Sequence, residues 1–499
     1  MTRPSHVPHG VALTRRQAML GASAAALLGA GAGTRATAGQ SAPRRLLVGR
    51  RTLEVNGKAA PVYSLAPAGG QNIARFMLGQ KFAVTLENQL AEPTLVHWHG
   101  LTPPAAQDGM PGLSQPPLAV GASYAYDFPL NRAGTFWMHS HVGFQRAKLL
   151  AAPLIVADPQ ERARDEQEVV LLLSDFSFRE PEEIFAGLTG ARAMHGMGGM
   201  DDMAGGAMDH AALHDRRKRG HGGMAGDMPV GGDLNDVDFD AYLANDRTLA
   251  DPHVVRAEPG ARLRLRVING AAATNFWLDL GALTGELLAV DGDPVAPLTG
   301  SRFDLAMAQR LDLRVALPAG QGAYPILARR EGAVERTGIV LATRDAIVAK
   351  LAPSGDAAPP VGLALEARLR ARRPLAERKA SRPLALDLTG DMMSFTWGIN
   401  GRRYGEDTPL MVRAGERVEL VMRNRTLMSH PMHLHGHHFQ VVAIGERRFP
   451  GALRDTVLVP AQGSVTVAFD ADNPGHWALH CHNEYHMAAG MMTSLRYES

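Results

Sequence analysis

The chain has 499 residues, of which 45% are hydrophobic, and its formal charge is +2. This length allows several hydrophobic cores, and at about 150 residues per domain it indicates three domains rather than one. Aromatic residues are few, and 53 glycines and 32 prolines interrupt stretches rich in valine and leucine. That composition predicts an all-β chain and argues against a helical bundle.

The first 38 residues are typical of an export signal. They contain four arginines and no acidic residue: Arg3, Arg15, Arg16 and Arg35. An apolar run at 19–30 precedes a cleavage-like Ala-Thr-Ala sequence at 36–38. The paired arginines resemble a twin-arginine signal, although Ala18 stands where phenylalanine is usual. We predict a periplasmic protein without membrane insertion, because no later apolar run reaches the length of a membrane helix.

Charge and cysteine content narrow the function further. Loss of the signal would change the formal charge from +2 to −2. The remaining chain then has no excess of positive charge that would indicate nucleic-acid binding. The only cysteine is Cys481, so an internal disulfide is excluded. A lone cysteine is usually a small buried hydrophobe, but this one has His480 and His482 as its neighbours.

Three segments share one layout, in which a glycine is followed by alternating apolar positions and, nine residues on, by an asparagine. They are residues 79–88, 260–269 and 415–424. Such alternation predicts a strand bounded by turns, and its repetition predicts a triplicated β-domain. Histidine motifs follow the first and third copies, at His97 and His430, but not the second. We therefore interpret the middle copy as a spacer.

Composition also predicts the domain boundaries. Domains are expected at 44–158, 166–345 and 382–499, with a linker or partly helical crossover at 346–381 that is rich in alanine, proline and arginine. Inside the second domain, residues 194–228 are rich in methionine, histidine and glycine. We predict that this insert builds no core.

Four short motifs place histidines two residues apart. They are His97-Trp98-His99, His139-Ser140-His141, His433-Leu434-His435 and His480-Cys481-His482. Residues two apart on a strand share a face, so four same-face pairs are expected and eight imidazoles can converge. Structural zinc favours several cysteines and catalytic zinc needs only about three protein ligands, which argues against zinc here.

The remaining metal-binding residues have the opposite parity. Cys481 faces away from its flanking histidines, and His430 lies an odd number of residues before His433. With His486 and Met491 they supply a thiolate, two imidazoles and a thioether, the ligand set of a blue-copper electron-transfer site. Two metal sites are thus expected on opposite faces of one strand, joined by the covalent bonds around Cys481.

These motifs, in this order, resemble the signature of the multicopper oxidase family from about residue 44 to the C-terminus. The sequence Phe-Trp-Met-His-Ser-His at 136–141 and the methionine-rich insert are most similar to bacterial copper-resistance oxidases and laccase-like enzymes. The resemblance implies three cupredoxin-like Greek-key β-sandwich or barrel domains and four copper ions. It also implies one-electron oxidation of a donor coupled to four-electron reduction of O2 to water.

The resemblance also implies the ligands, carried over by position. The type 1 copper takes His430, Cys481 and His486, with Met491 as the axial ligand and Met492 as the competing assignment. The type 2 copper takes His97 and His433. One type 3 copper takes His99, His139 and His482, and the other takes His141, His435 and His480.

Reduction of O2 consumes four protons, so a carboxylate near the cluster is expected as a relay. Asp108 matches one acid of the family, and the alternative is a plain Asp-Gly turn. Many relatives place a second acid directly after the type 1 histidine, where this chain has Met487. Glu484 is then the substitute candidate.

Other functions can be weighed on the same residues. A copper nitrite reductase would need neither His141 nor His482, and a non-catalytic envelope scaffold should have lost ligands. Copper storage would explain the insert but not the four-copper constellation. Cu(I), phenols, Mn(II) and Fe(II) remain open as donors. We favour Cu(I) or phenol-type donors and a role in copper tolerance, with a laccase-type oxidase of organic donors as the alternative.

The insert carries soft and imidazole ligands that suit Cu(I). They are Met194, Met197, Met200, Met203, Met208, Met224 and Met228, with His195, His210, His214 and His221. One hypothesis is delivery of Cu(I) to the type 1 site. The alternative is a surface loop whose methionines absorb oxidants.

Overall fold

The structure is a computed structural model that describes residues 43–69, 73–190 and 234–498. The predicted export signal at 1–38 and the predicted insert at 194–228 lie outside the described residues. The described chain is all-β, as predicted, and its helices are short: α1 (Pro159–Arg162), α2 (Pro181–Gly190) and α3 (Glu484–Ala488), with 3-10 turns at Ala105–Gln107 and Glu366–Arg368. No helix in these ranges is long and apolar enough to cross a membrane.

Two sheets and one shared core form the first unit. Its strands are β1 (Arg44–Val55), β2 (Lys58–Pro67), β3 (Ala74–Met77), β4 (Lys81–Asn88), β5 (Val96–His99), β6 (Ser123–Pro129), β7 (Gly134–Ser140) and β8 (Ala151–Ala157). The sheets have the orders β2-β1-β4-β6 and β3-β8-β7-β5. Phe82 of β4 packs edge to face on Trp98 of β5 at 4.6 Å, which joins the two sheets through the core.

The second unit is larger and has the same two-sheet design. Its strands are β9 (Gln167–Phe176), β10 (Ala241–Ala244), β11 (His253–Ala257), β12 (Arg262–Asn269), β13 (Phe276–Asp279), β14 (Gly285–Val290), β15 (Asp293–Gly300), β16 (Arg302–Leu305), β17 (Arg310–Ala316), β18 (Ala323–Arg330) and β19 (Arg336–Thr343). The sheet orders are β10-β9-β12-β17-β14-β15 and β11-β19-β18-β13-β16. Leu365 and Leu369, from the segment 346–381, are buried in this core, so that segment packs on the second unit.

The third unit carries half of the paired histidines. Its strands are β20 (Arg382–Asp391), β21 (Thr396–Ile399), β22 (Leu410–Val412), β23 (Arg417–Asn424), β24 (His430–Leu434), β25 (Phe439–Ile444), β26 (Arg447–Arg448), β27 (Leu453–Arg454), β28 (Thr456–Val459), β29 (Ser464–Asp470), β30 (His476–Cys481) and β31 (Met492–Tyr497). One sheet has the order β21-β20-β23-β29-β25-β26, with β27 on β25, and the other has the order β22-β31-β30-β24-β28. Helix α3 connects β30 to β31.

The three repeated segments form β4, β12 and β23 and occupy equivalent positions. Each pairs in parallel with the first strand of its unit and antiparallel with a later one. The preceding glycines have φ values of +83°, +75° and +81°, which suit a turn that only glycine adopts easily. Buried Asn88, Asn269 and Asn424 donate to backbone carbonyls four or five residues on. Each asparagine therefore braces the turn that leads, in the first and third copies, into a histidine strand.

Candidate metal centre

Two antiparallel strand pairs bring the eight paired histidines together. Strands β5 and β7 place His97 opposite His139, and β24 and β30 place His433 opposite His480. The other four, at the ends of these strands or one residue past them, are His99, His141, His435 and His482. Rings from the first and third units stack directly, with centroids 3.8 Å apart for His97 and His435. The eight imidazoles converge, as expected from histidines two residues apart on the same face of a strand.

The ring nitrogens form closely spaced sets inside this cluster. Ligand atoms of His141, His435 and His480 all lie within 4.8 Å of one another. The Nε2 atoms of His97 and His433 are 3.5 Å apart. Two further sets of ligand atoms within 4.8 Å of one another share His97, one with His433 and His435 and the other with His99 and His139.

His99, His139 and His482 form the third assigned group. His99 Nδ1 lies 3.4 Å from His139 Nε2. The ring of His482 is 5.0 Å from that of His99 and 5.1 Å from that of His139, between centroids. All eight assigned histidines are thus in one continuous cluster.

The hydrogen bonds around the cluster fit a bound cation. His435 Nδ1 lies 2.7 Å from Asp108 Oδ2, and His480 Nδ1 lies 2.9 Å from the carbonyl oxygen of Cys481, so each neutral ring carries its proton on Nδ1. The Nε2 atoms of these two rings are 3.0 Å apart, and neither carries a proton, so two lone pairs point at each other. Both ring nitrogens of His141 are buried without a hydrogen-bond partner among the described residues. Buried lone pairs of this kind are costly without a partner, and a metal ion supplies one.

Burial keeps these histidines in the form that binds metals. It lowers the pKa of His480 to about 3, and it lowers the pKa values of His99, His141 and His482 well below 6.5, with neighbouring charges adding to the effect. These four imidazoles are therefore neutral at neutral pH, which is the form of imidazole that binds a metal ion.

A second set of candidate ligands lies on the other face of β30. Cys481 Sγ is 3.7 Å from His430 Nδ1 and 3.8 Å from His486 Nδ1, and these two nitrogens are 3.2 Å apart. The outer Nε2 atoms have oxygen neighbours, with His430 2.7 Å from Thr426 Oγ1 and His486 2.9 Å from Asp236 Oδ2. Both rings thus turn Nδ1 towards the sulfur. Burial raises the pKa of the Cys481 thiol, and a soft metal such as copper would replace its proton.

The two candidate axial methionines lie in different environments. Met491 is fully buried in the cluster that contains Cys481, and its carbonyl oxygen accepts a hydrogen bond from the Cys481 backbone N–H at 3.0 Å. Met492 belongs to a separate cluster with Met110 and Ala478. This packing favours Met491 as the thioether neighbour of the thiol.

Both candidate acids are buried, but only Asp108 contacts histidines of the cluster, whereas Glu484 pairs with Arg146. Asp108 is 1% exposed, and besides its contact with His435 its Oδ1 lies 3.2 Å from His97 Nδ1. Its carboxylate therefore does more than close an Asp-Gly turn. Glu484 is 2% exposed with Oε2 3.0 Å from Arg146 Nε, and burial raises the pKa of Glu484 to about 7.

Three further charged residues at the site have no motif of their own. Arg146 Nη1 lies 2.8 Å from His482 Nδ1, Asp236 lies beside His486, and Asp455 Oδ1 is 3.1 Å from His99 Nε2. Sequence reasoning missed all three. Each reaches its histidine across a long sequence separation, so no local pattern could have identified it.

Comparison with known proteins gives consistent matches along the chain. Three family profiles, each described as multicopper oxidase, match residues 70–161, 209–345 and 377–499. Multicopper oxidase MmcO of Mycobacterium tuberculosis is 32% identical over 445 residues, which covers 85% of this chain and 81% of that protein. Copper resistance protein A of Escherichia coli is 25% identical over 570 residues, covering 91% and 92% of the two chains.

Solved structures share the fold. A multi-copper oxidase from Pseudomonas thermotolerans superposes with a TM-score of 0.66 at 23% identity, over 91% of this chain and 98% of that chain. The laccase from Botrytis aclada gives a TM-score of 0.70 at 22% identity, over 90% and 86% of the two chains. At these identities the likeness shows a common architecture of cupredoxin domains.

Proposed function

Because this chain belongs to the multicopper oxidase family, we propose that it is a four-copper oxidase that couples one-electron oxidation of a reduced donor to four-electron reduction of O2 to water. Family membership by itself makes the protein a copper-dependent oxidoreductase. The observation that carries the fuller proposal is the sharing of β30, in which Cys481 belongs to one ligand set while His480 belongs to the other.

The residues that would hold the four ions follow from the two sets. His430, Cys481 and His486, with Met491 nearby, would hold type 1 copper, and His97 with His433 would hold type 2 copper. The type 3 pair would be held by His99, His139 and His482, and by His141, His435 and His480. When bound, copper would supply one-electron acceptance at the first set and multi-electron reduction of O2 at the second.

The chain links the two sets without a gap. Cys481 is bonded through the backbone to His480 on one side and to His482 on the other. Electrons that leave the thiolate set therefore have a continuous bonded path to the histidine cluster. The thiolate set and seven of the eight clustered histidines are buried, which limits competing reactions with water along this path.

Two carboxyl groups support the delivery of the protons that O2 reduction consumes. Asp108 accepts a hydrogen bond from His435 Nδ1, so its carboxylate is in direct contact with the histidine cluster. The pKa of Glu484, about 7, suits a group that gives and takes protons near neutral pH. We assign Asp108 and Glu484 as the relay acids.

The carboxylate beside His486 favours a cationic donor. Asp236 places its negative charge 2.9 Å from the imidazole that belongs to the thiolate set. Cu(I) as substrate would be attracted to such a charge, and the methionine-rich insert ends eight residues before Asp236 in the sequence. We therefore favour Cu(I) and copper tolerance in the periplasm. Phenol-type donors are the second candidate, because laccases are among the relatives.

The proposal is tested by copper analysis and O2 uptake on the purified mature protein. Four coppers per chain, an intense visible band from the thiolate and O2 uptake with Cu(I) or 2,6-dimethoxyphenol are expected. One copper per chain, or stoichiometric zinc, would contradict the proposal that the protein is a four-copper oxidase.

Deletion of residues 194–228 separates the two donor classes. A matched variant replaces the same residues with a glycine–serine segment of equal length, which keeps the spacing and removes the thioethers. Delivery of Cu(I) by the insert predicts a large loss of Cu(I) oxidation in both variants, with phenol oxidation unchanged or faster. Unchanged Cu(I) oxidation would move the donor class to organic reductants.

A further inference from the structure

The middle unit supplies none of the eight clustered histidines, yet one of its side chains binds a carboxylate that contacts the cluster. Arg310 begins β17, and its side chain is fully buried. Its Nη1 and Nη2 donate to the two carboxylate oxygens of Asp455 at 2.7 and 2.5 Å. A two-point arginine–carboxylate pair is geometrically specific, so Arg310 fixes both the position and the orientation of this carboxylate.

Asp455 lies between β27 and β28 in the third unit and contacts a histidine of the first. Its Oδ1 is 3.1 Å from His99 Nε2 and also accepts a hydrogen bond from Thr456 Oγ1 at 2.9 Å. A carboxylate can only accept here, so Nε2 of the neutral His99 ring carries the proton. Nδ1 is left with its lone pair, and it is the nitrogen that lies 3.4 Å from His139 Nε2.

His99 is turned in the opposite sense from most of its neighbours. Five rings have Nδ1 beside a backbone or carboxylate oxygen and leave Nε2 for the cluster: His97, His139, His433, His435 and His480. For those rings a nearby carbonyl or Asp108 sets the tautomer. The inverted orientation of His99 instead needs an acceptor at Nε2. Asp455 Oδ1 supplies it at 3.1 Å, and Thr456 Oγ1, which itself donates to that carboxylate, lies 3.3 Å from the same nitrogen.

The backbone beside His99 is shaped to admit this contact. Gly100 has φ +89°, and a Cβ there would lie 2.5 Å from Arg310 Nη2 and 2.8 Å from Asp455 Oδ2. Nearby, a Cβ on Gly134 would lie 2.6 Å from the Cα of Gly292. Backbones of the first and second units therefore meet where Arg310 enters, with no room for larger residues.

We propose that Arg310 is a positioning residue of the middle domain, which acts through Asp455 to fix the tautomer and ring orientation of His99 and so the copper occupancy of the histidine cluster. The inference rests on the proposed function only in that His99 binds copper. Oriented carboxylate partners of this kind commonly govern metal affinity at ligand histidines. The middle domain is then part of the metal centre and not only a spacer.

The test compares Arg310→Lys with a matched control, Arg454→Lys. Arg454 is equally buried, and its ion pairs in the described chain are with Asp291 and Glu366 rather than with Asp455. Both substitutions keep the charge and lose the fork geometry of the guanidinium. For Arg310→Lys we expect the affinity for one copper of the cluster to fall about 10- to 100-fold in chelator competition.

The spectra and metal content give the readouts besides activity. The copper content of Arg310→Lys should fall from four towards three, with the blue band of the Cys481 site intact. Arg454→Lys should keep its full copper content even if its unfolding temperature falls. Equal copper affinity of Arg310→Lys and the natural protein would overturn the inference, and so would an equal loss in Arg454→Lys.

A second pair of variants tests the same inference if Arg310→Lys does not fold. Asp455→Ala should lose cluster copper, because no carboxylate is left to accept from His99 Nε2, whereas Asp291→Ala, which removes the other acidic neighbour of Arg310, should retain it. Full copper retention by Asp455→Ala would overturn the inference. A natural protein that binds only one copper would instead contradict the proposed function.

Discussion

Asp236 Oδ2 lies 2.9 Å from His486 Nε2, and both side chains are fully buried. Asp236 precedes β10 of the middle domain, whereas His486 lies in α3 of the third. Asn483 Nδ2 donates to the same carboxylate oxygen at 2.8 Å, which holds the acid in place. The ring is thereby turned so that Nδ1 faces Cys481, with a carboxylate beside an imidazole of the thiolate set.

Asp236→Ala is therefore expected to lower donor oxidation by about 10- to 100-fold, more for Cu(I) than for a neutral phenol, because orientation and negative charge are both lost. The control is Asp238→Ala, because the natural Asp238 side chain is 95% exposed. Steady-state rates with both donors measure the effect. An equal loss in the control would show that the segment, and not the contact with His486, is responsible.

Cys481→Ser should abolish the blue band and the oxidase activity, because no other thiol exists in the chain. The fold should persist, since an unpaired buried hydroxyl costs only about 1–3 kcal/mol. Copper content should fall from four to three while the circular dichroism of the copper-free protein is unchanged. A visible thiolate band that survives the substitution would contradict the assignment.

Met491→Leu is expected to raise the potential of the type 1 copper, and Met491→Gln to lower it, because the axial donor tunes that copper. Met492→Leu is the matched control, since Met492 packs in a different cluster. Redox titration of the blue band gives the values. A shift confined to the Met492 variant would move the ligand by one residue.

Asp108→Asn should slow turnover by about 100-fold or more without displacing copper, because the amide oxygen still accepts from His435 but the group no longer transfers protons. Asp127→Asn, whose natural side chain is 58% exposed, should have no effect. Measured kcat and copper content decide between the roles. Full activity at all pH values would reduce Asp108 to an orienting group.

Because the pKa of Glu484 is raised, we expect the free energy of unfolding of the copper-free protein to depend on pH. Burial raises the pKa of Glu484 from 4.5 to about 7, so between these values the folded state binds more protons than the unfolded state. The free energy of unfolding should therefore fall as pH rises through this window, by up to about 3 kcal/mol relative to Glu484→Gln. Denaturant titrations at several pH values measure it, and parallel curves for the two proteins would refute the expectation.

Local patterns predicted much of the fold and of the site. The alternation at 79–88, 260–269 and 415–424 predicted three equivalent strands, because side-chain direction in a strand depends only on the parity of position. The same rule predicted the convergence of the paired histidines and the opposite direction of Cys481. It also held for His141, His435 and His482, which lie just beyond their strands.

What the sequence by itself determined is the inventory of ligands and the faces they occupy, because both follow from residue type and a period of two. Only the tertiary structure decided which partner each nitrogen meets. His99 and Asp455 are 356 positions apart, and Arg310 reaches Asp455 across 145 positions. Such contacts arise from the packing of one unit on another, and the tautomer of His99 and the charge beside His486 are set by that packing rather than by any neighbouring residue.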